Sequence, residues 1–123
     1  MLTLPVPVKI FVHTSPTDMR KGHDGLSAIV TDFMNEDPLS GHMFLFVNRR
    51  RNRVKLLYWA GDGYALWYKR LERGTFEPPA AIRSTQGDSP RLEITASQMS
   101  LLLDGIELAS ARRRRRYTRG QSW

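Results

Sequence analysis

A chain of 123 residues has room for one ordinary domain and not for a second of comparable size. It has no cysteine, which excludes a disulfide framework, thiol catalysis and thiolate zinc sites and fits a reducing compartment. The net charge of +7 is concentrated in two zones: residues 111–123 carry six arginines and no acid, and residues 48–74 carry eight basic residues against Asp62 and Glu72. The remaining body holds five basic and ten acidic residues, so the chain is polarised and draws polyanions to its basic zones.

Val6-Pro7-Val8-Lys9-Ile10-Phe11-Val12 is β-branched and aromatic and predicts a first strand. The residues before it lack a basic n-region, and Pro5 and Pro7 disfavour a signal helix, so no leader is expected. No apolar run approaches the length of a membrane span. Ser15-Pro16-Thr17-Asp18 has the form of a helix start, with serine as cap and proline at the first helical position. The clearest periodicity comes next: Leu26, Ile29, Val30 and Phe33 share one helical face and predict a helix over 24–34. Gly22 and Gly25 interrupt its approach, so it either begins near Asp24 or uses these glycines for close packing.

Met43-Phe44-Leu45-Phe46-Val47 is apolar throughout and reads as a central strand. An arginine-rich turn over Asn48–Asn52 and a strand over Val54–Trp59 complete a β-hairpin with arginines at its tip. Gly61-Asp62-Gly63 predicts a second tight turn, Asp-Gly supplying positive φ. Tyr64–Leu71 then continues as a strand, although the Leu66-Trp67-Arg70-Leu71 spacing also permits a helix. Residues 74–91, with three prolines, read as a long connection, and Arg91–Ile94 as a short edge strand. Thr95 and Gln98 have capping-box spacing and open a helix carrying Met99, Leu102, Leu103 and Ile106, with Gly105 as its C-terminal cap. Beyond Ala111 the like charges repel and little can be buried, which predicts a disordered tail. The expectation is one α+β domain over 1–110: a mostly antiparallel sheet of three to five strands, both helices on one face, and a flexible basic tail over 111–123.

Chemistry has few footholds. His13, His23 and His42 lack the spacing of helical metal sites, and no nucleophile elbow, Walker loop or dinucleotide fingerprint occurs. Asp18, Asp24, Asp62, Glu72 and Asp104 are candidates by type for a metal-dependent nuclease. Asp62 is better explained as a turn former, and Glu72 as a neutraliser of Lys69 or Arg73. No catalytic residue, metal, cofactor or small-molecule substrate is therefore expected.

Binding is the stronger theme. Tyr58, Trp59, Tyr64, Trp67 and Tyr68 crowd eleven positions beside Lys55, Lys69 and Arg70. At least half of these rings are expected to pack, and one member of each adjacent pair must face away from the other. An aromatic face interleaved with cations suits nucleic acid, rings stacking bases and arginines meeting phosphates, and equally suits a protein partner. The expected nucleic-acid contacts are Arg49, Arg50, Arg51, Arg53, Lys55, Trp67, Tyr68, Lys69, Arg70, Arg73, and in the tail Arg112, Arg113, Arg114, Arg115, Arg116 and Arg119. Such tail contacts bind phosphate without reading sequence.

TDMRKGHDGL at 17–26, DPLSGHMFLFVNRRRNRVKLLYWAGDGYALWYKRLERGTF at 37–76 and ITASQMSLLLDGIEL at 94–108 resemble the small accessory proteins encoded by the second open reading frame of insertion sequence 66 family elements. That family is usually called TnpB and is unrelated to the RNA-guided nuclease of the same name. The resemblance implies a bacterial, cytoplasmic mobile-element protein that assists DNA transposition while a separate transposase carries the chemistry. Its implied partners are DNA and the transposase or other element-encoded proteins, with no membrane. It assigns no catalytic residue, and it places Asp18, Arg20, Lys21, Gly22, Tyr58, Trp59 and Asp62 on shared motifs beside the basic positions above. In order of preference, the readings are a DNA-binding accessory protein, a transposase adaptor and a cryptic nuclease.

Overall fold

A computed structural model describes residues 7–77 and 89–104, and the backbone alone of 106–107 and 112–113. In chain order the elements are β1 (Ile10–His13), α1 (His23–Asp32), β2 (Met43–Val47), β3 (Arg53–Trp59), β4 (Tyr64–Arg70), β5 (Arg91–Ile94), α2 (Ala96–Asp104), β6 (Ile106–Glu107) and β7 (Arg112–Arg113). The first five strands form one sheet in the order β4-β3-β2-β1-β5, and β6 pairs with β7 in a separate two-residue ribbon. Only the β1–β2 pairing is parallel within the five-stranded sheet, and α1 provides the crossover that a parallel pair requires. The domain is thus α+β, with a mostly antiparallel sheet.

The pleat distributes the apolar residues to both faces. Phe11, Phe44, Phe46 and Leu57 pack with Leu26, Ile29, Val30 and Met34 of the α1 segment. Leu45, Val54 and Leu56 face the other way and pack with Leu102 of α2 and with Phe76. The expectation that both helices share one face is therefore corrected: they cover opposite faces. The reason lies in β2, whose consecutive residues Phe44, Leu45 and Phe46 are all fully buried although they point to opposite faces. A strand apolar on both sides needs a cover on both sides.

Local chemistry accounts for the element ends. Thr95 Oγ1 accepts from the Gln98 N–H at 3.0 Å and Gln98 Oε1 accepts from the Thr95 N–H at 2.8 Å, the reciprocal capping box expected for α2. α1 begins at His23 behind Gly22, and Ser15-Pro16 starts no helix, because Thr17 is drawn off to donate its N–H to the Val47 carbonyl at 2.9 Å. Phe33, expected on the buried stripe, is 63% exposed, and Met34 takes the core position instead. Asn35, at φ 57°, ends the segment in the left-handed region that asparagine tolerates. Residues 64–70 are strand, as the turn chemistry favours over the helical spacing. In the turn between β3 and β4 the positive φ (98°) falls on Gly61 rather than on the glycine after Asp62. The glycine cap proposed for α2 and most of the 74–91 connection and the tail lie outside the described residues.

His13 is buried on the α1 face of the sheet beside Phe46, its Nδ1 3.1 Å from the Pro90 carbonyl. Burial lowers its pKa below the ordinary 6.5, against a smaller opposing effect of the Pro90 carbonyl. The unfolded chain then binds the proton more readily, so the stability that neutral His13 supports is complete above about pH 7 and is lost as pH falls through the unfolded value towards the folded one. Urea midpoints should decline between pH 7.5 and 5.5, and the decline should be shallower in His13→Gln.

Candidate functional site

The β2–β3 turn is built by one side chain. Asn48 Oδ1 accepts from the N–H groups of Asn52 and Arg53, each at 3.0 Å, and its Nδ2 donates to Asn52 Oδ1 at 2.8 Å. Arg51 sits at φ 58°, a conformation that costs a non-glycine residue about 1–2 kcal/mol. It is held there by its N–H to the Asn48 carbonyl at 3.0 Å and by the Phe76 N–H, which donates to its own carbonyl at 2.6 Å. Its guanidinium turns away to pair with Glu77 at 2.9 Å. Arg49 and Arg50 are left exposed, and with the half-buried Arg53 they have no ion pair among the described residues.

A second segment is held against this turn. Lys55 is only 8% exposed, and its ammonium donates to the carbonyls of Met19 at 2.7 Å and Lys21 at 2.8 Å while lying 4.9 Å from the centre of the Tyr68 ring. Together with the Thr17–Val47 bond, this fixes residues 17–21 beside the arginines. Asp18 accepts from Arg20 through the backbone N–H at 2.9 Å and through the guanidinium, whose Nη2 donates to Oδ2 at 2.7 Å. These bonds hold the Asp18 carboxyl well below the usual carboxylate range, at about 2. Between the two segments lies an open groove of about 430 Å³, walled by Thr17, Asp18, Met19 and Arg20 on one side and Asn48, Arg49, Arg50, Asn52 and Arg53 on the other.

The residues expected to bind nucleic acid thus separate. Arg49, Arg50 and Arg53 come together, joined by Arg20, and Arg73 is exposed beyond β4. Lys55 is corrected from surface cation to internal strut, because its ammonium is already used by two carbonyls. Lys69 points to the last turn of α2, with Nζ 3.3 Å from the Leu103 carbonyl. Arg70 pairs with Glu72 at 2.7 Å, rather than Lys69 or Arg73 doing so. Register also breaks up the single aromatic–cationic face: Tyr68 opposes Lys55 on the α1 side, whereas Trp67 opposes Leu56 on the α2 side. Both rings are open, Trp67 at 41% and Tyr68 at 47%, because β4 is an edge strand with no outer neighbour among the described residues. Tyr58 and Trp59 are half-buried, Trp59 meeting Tyr64 edge to face at 5.2 Å. Asp62 is exposed in its turn. Among the described residues no three His, Asp or Glu side chains converge as a metal site would need, and no helix is long and apolar enough to cross a membrane. Arg112, Arg113, Arg114, Arg115, Arg116 and Arg119 lie outside the described side chains.

Two functional features escaped sequence reasoning. Asn48 organises the turn, a role its residue type and its place before a turn with positive φ do signal. Thr17 is 5% exposed, and its Oγ1 has no hydrogen-bond partner among the described residues. Nothing in the local sequence announces that.

Residues 8–113 match the family model described as IS66 Orf2 like protein. The chain is 34% identical over 100 residues to the uncharacterized protein y4hO of Sinorhizobium fredii (strain NBRC 101917 / NGR234), covering 81% of this chain and 82% of that protein. It is 33% identical over 107 residues to the uncharacterized protein y4jC of the same strain, covering 87% and 86%. No solved structure matches.

The Lys55 strut makes a direct prediction. Lys55→Met keeps the unbranched stem of the side chain but strands two carbonyl acceptors, and should lower the urea-unfolding free energy by about 2 kcal/mol at pH 7. An unchanged midpoint would show that the 17–21 segment holds its place without the ammonium.

Proposed function

Because the chain belongs to the family of IS66 Orf2-like proteins, we propose that it is a non-catalytic accessory protein that assists DNA transposition in the bacterial cytoplasm by binding DNA. The DNA-facing parts are the β2–β3 turn, through Arg49, Arg50 and Arg53, and the arginines at 112–116 and 119. The observation that carries this reading is the set of four arginines, counting Arg20, gathered around one groove with Asp18 as its single acid. Three of these guanidinium groups, on Arg49, Arg50 and Arg53, have no carboxylate partner among the described residues, and such groups gathered on an otherwise acidic body are suited to phosphate and add little to stability. Catalysis is assigned to a separate element-encoded transposase.

Fluorescence anisotropy with element-end and random duplexes across a salt series tests this. If the six arginines of the tail engage phosphate, deleting residues 111–123 should reduce the slope of log K against log salt by roughly 5. Joint replacement of Arg49, Arg50 and Arg53 by Gln should reduce it by roughly 2 to 3. Binding indifferent to salt, or absent in both the full and the shortened chain, would sink the reading.

A second reading is favoured by Trp67 and Tyr68, which stand open on opposite faces of the β4 edge. Aromatic residues beside an open strand edge suit a protein partner, and here the partner is the transposase. Co-purification with the transposase should weaken at least tenfold in Trp67→Ala and Tyr68→Ala, and a complex retained by both variants argues against an adaptor role.

A further inference from the structure

We propose that the groove between residues 17–20 and the β2–β3 turn is a seat for one phosphate group, with Thr17 as its neutral hydrogen-bond donor. The proposal deepens the DNA-binding reading and rests on it for the identity of the molecule that carries the phosphate. The two walls of the groove come from segments separated by some thirty residues and face each other only because Lys55 and Val47 hold the 17–21 segment in place. One wall supplies Arg20, fixed by Asp18, and the other supplies Arg49, Arg50 and Arg53. Arg53 also stands directly opposite Arg70 in the β3–β4 register, a like-charge pairing that a sheet does not choose for stability.

Thr17 is the independent observation. Its side chain is nearly wholly buried at this groove, yet its hydroxyl has no partner among the described residues. A buried hydroxyl without a partner is a standing cost; this one is closed to solvent, so an acceptor in the groove removes the cost once the Thr17 side chain turns towards it. Phosphate fits the rest of the set: its oxygens accept from planar guanidinium forks, and its negative charge is opposed by four arginines against the single Asp18 carboxylate. The Asp18 carboxylate is already engaged by Arg20, so it orients a cation at the rim and does not leave a bare anion facing the ligand.

The test uses the full chain and inorganic phosphate, monitored by nuclear magnetic resonance of the backbone amides and arginine Nε–H groups, with chloride at equal ionic strength as control. Saturable shifts at Thr17, Arg20 and Arg53 with phosphate alone are expected. Shifts that chloride reproduces, or that never saturate, would overturn the seat. Thr17→Val exchanges the hydroxyl for a methyl group; it should keep or raise the urea midpoint while weakening phosphate roughly tenfold, the loss of one charge-assisted hydrogen bond. A variant stabilised with unchanged phosphate affinity would show the hydroxyl to be a packing defect and not a ligand, and would overturn the proposal. Arg53→Gln should weaken phosphate similarly and reduce the salt slope of duplex binding by about one. Phosphate binding without any duplex binding would retain the seat and remove the DNA reading. Duplex binding equal in wild type, Thr17→Val and Arg53→Gln, with no saturable phosphate shift, would remove the seat and retain the DNA reading.

Discussion

The geometry of the basic end depends on a lysine that never reaches the surface. Burying an ammonium is expensive, and Lys55 has no carboxylate to offset it among the described residues. Two backbone carbonyls at 2.7 and 2.8 Å and the face of Tyr68 do so instead. Because both acceptors belong to residues 19 and 21, the charge can be satisfied only when that segment lies on the sheet. Burial of Lys55 and the position of Arg20 are therefore one event, and a residue in the middle of β3 sets the shape of a groove at its end.

The sheet imposes the second constraint. With β2 buried on both sides, the layers must run α1, sheet, α2, and both broad faces are occupied. The surface left for recognition is then the perimeter: the turns at the strand ends and the outer strand β4. The arginine turn lies at one such place and the pair Trp67–Tyr68 at the other, so the proposed DNA contact and the proposed protein contact fall on different parts of the molecule. Nothing in this arrangement forces a choice between the two roles.

Much of this fold was legible in the residue order, and the failures have identifiable causes. Leu26, Ile29 and Val30 marked the buried stripe of α1, and Thr95 with Gln98 marked the start of α2, because both signals are local. Phe33 and Met34 exchanged roles because α1 ends at Asp32, and helical spacing no longer governs residues beyond that point. The placement of the helices was misjudged although the pattern of β2 held the answer: continuous apolar character signals two covered faces as well as a central position. Lys55, in contrast, was misread as a surface cation for a reason that local pattern does not repair. Its partners are main-chain carbonyls 34 and 36 residues away, and main-chain acceptors have no sequence signature. Thr17 is hidden for the same reason.

The charge of the groove is also decoupled from pH, which sets it apart from the rest of the fold. Arg20 holds the Asp18 carboxyl down at about 2, the other charges on the walls are guanidinium groups, and no histidine lines either wall. Its attraction for a polyanion is therefore constant over the range in which buried His13 makes the fold itself respond to acid. A loss of binding on mild acidification would then trace to the fold and not to the groove. This separates two properties that the residue pattern alone mixes, since the segment from Asn48 to Gly74 holds both the core of the sheet and its arginines. Val54, Leu56 and Leu57 bear on stability, Arg49 and Arg50 on the proposed recognition, and Lys55 on both, because it spends its charge inside the protein to place another residue's charge outside.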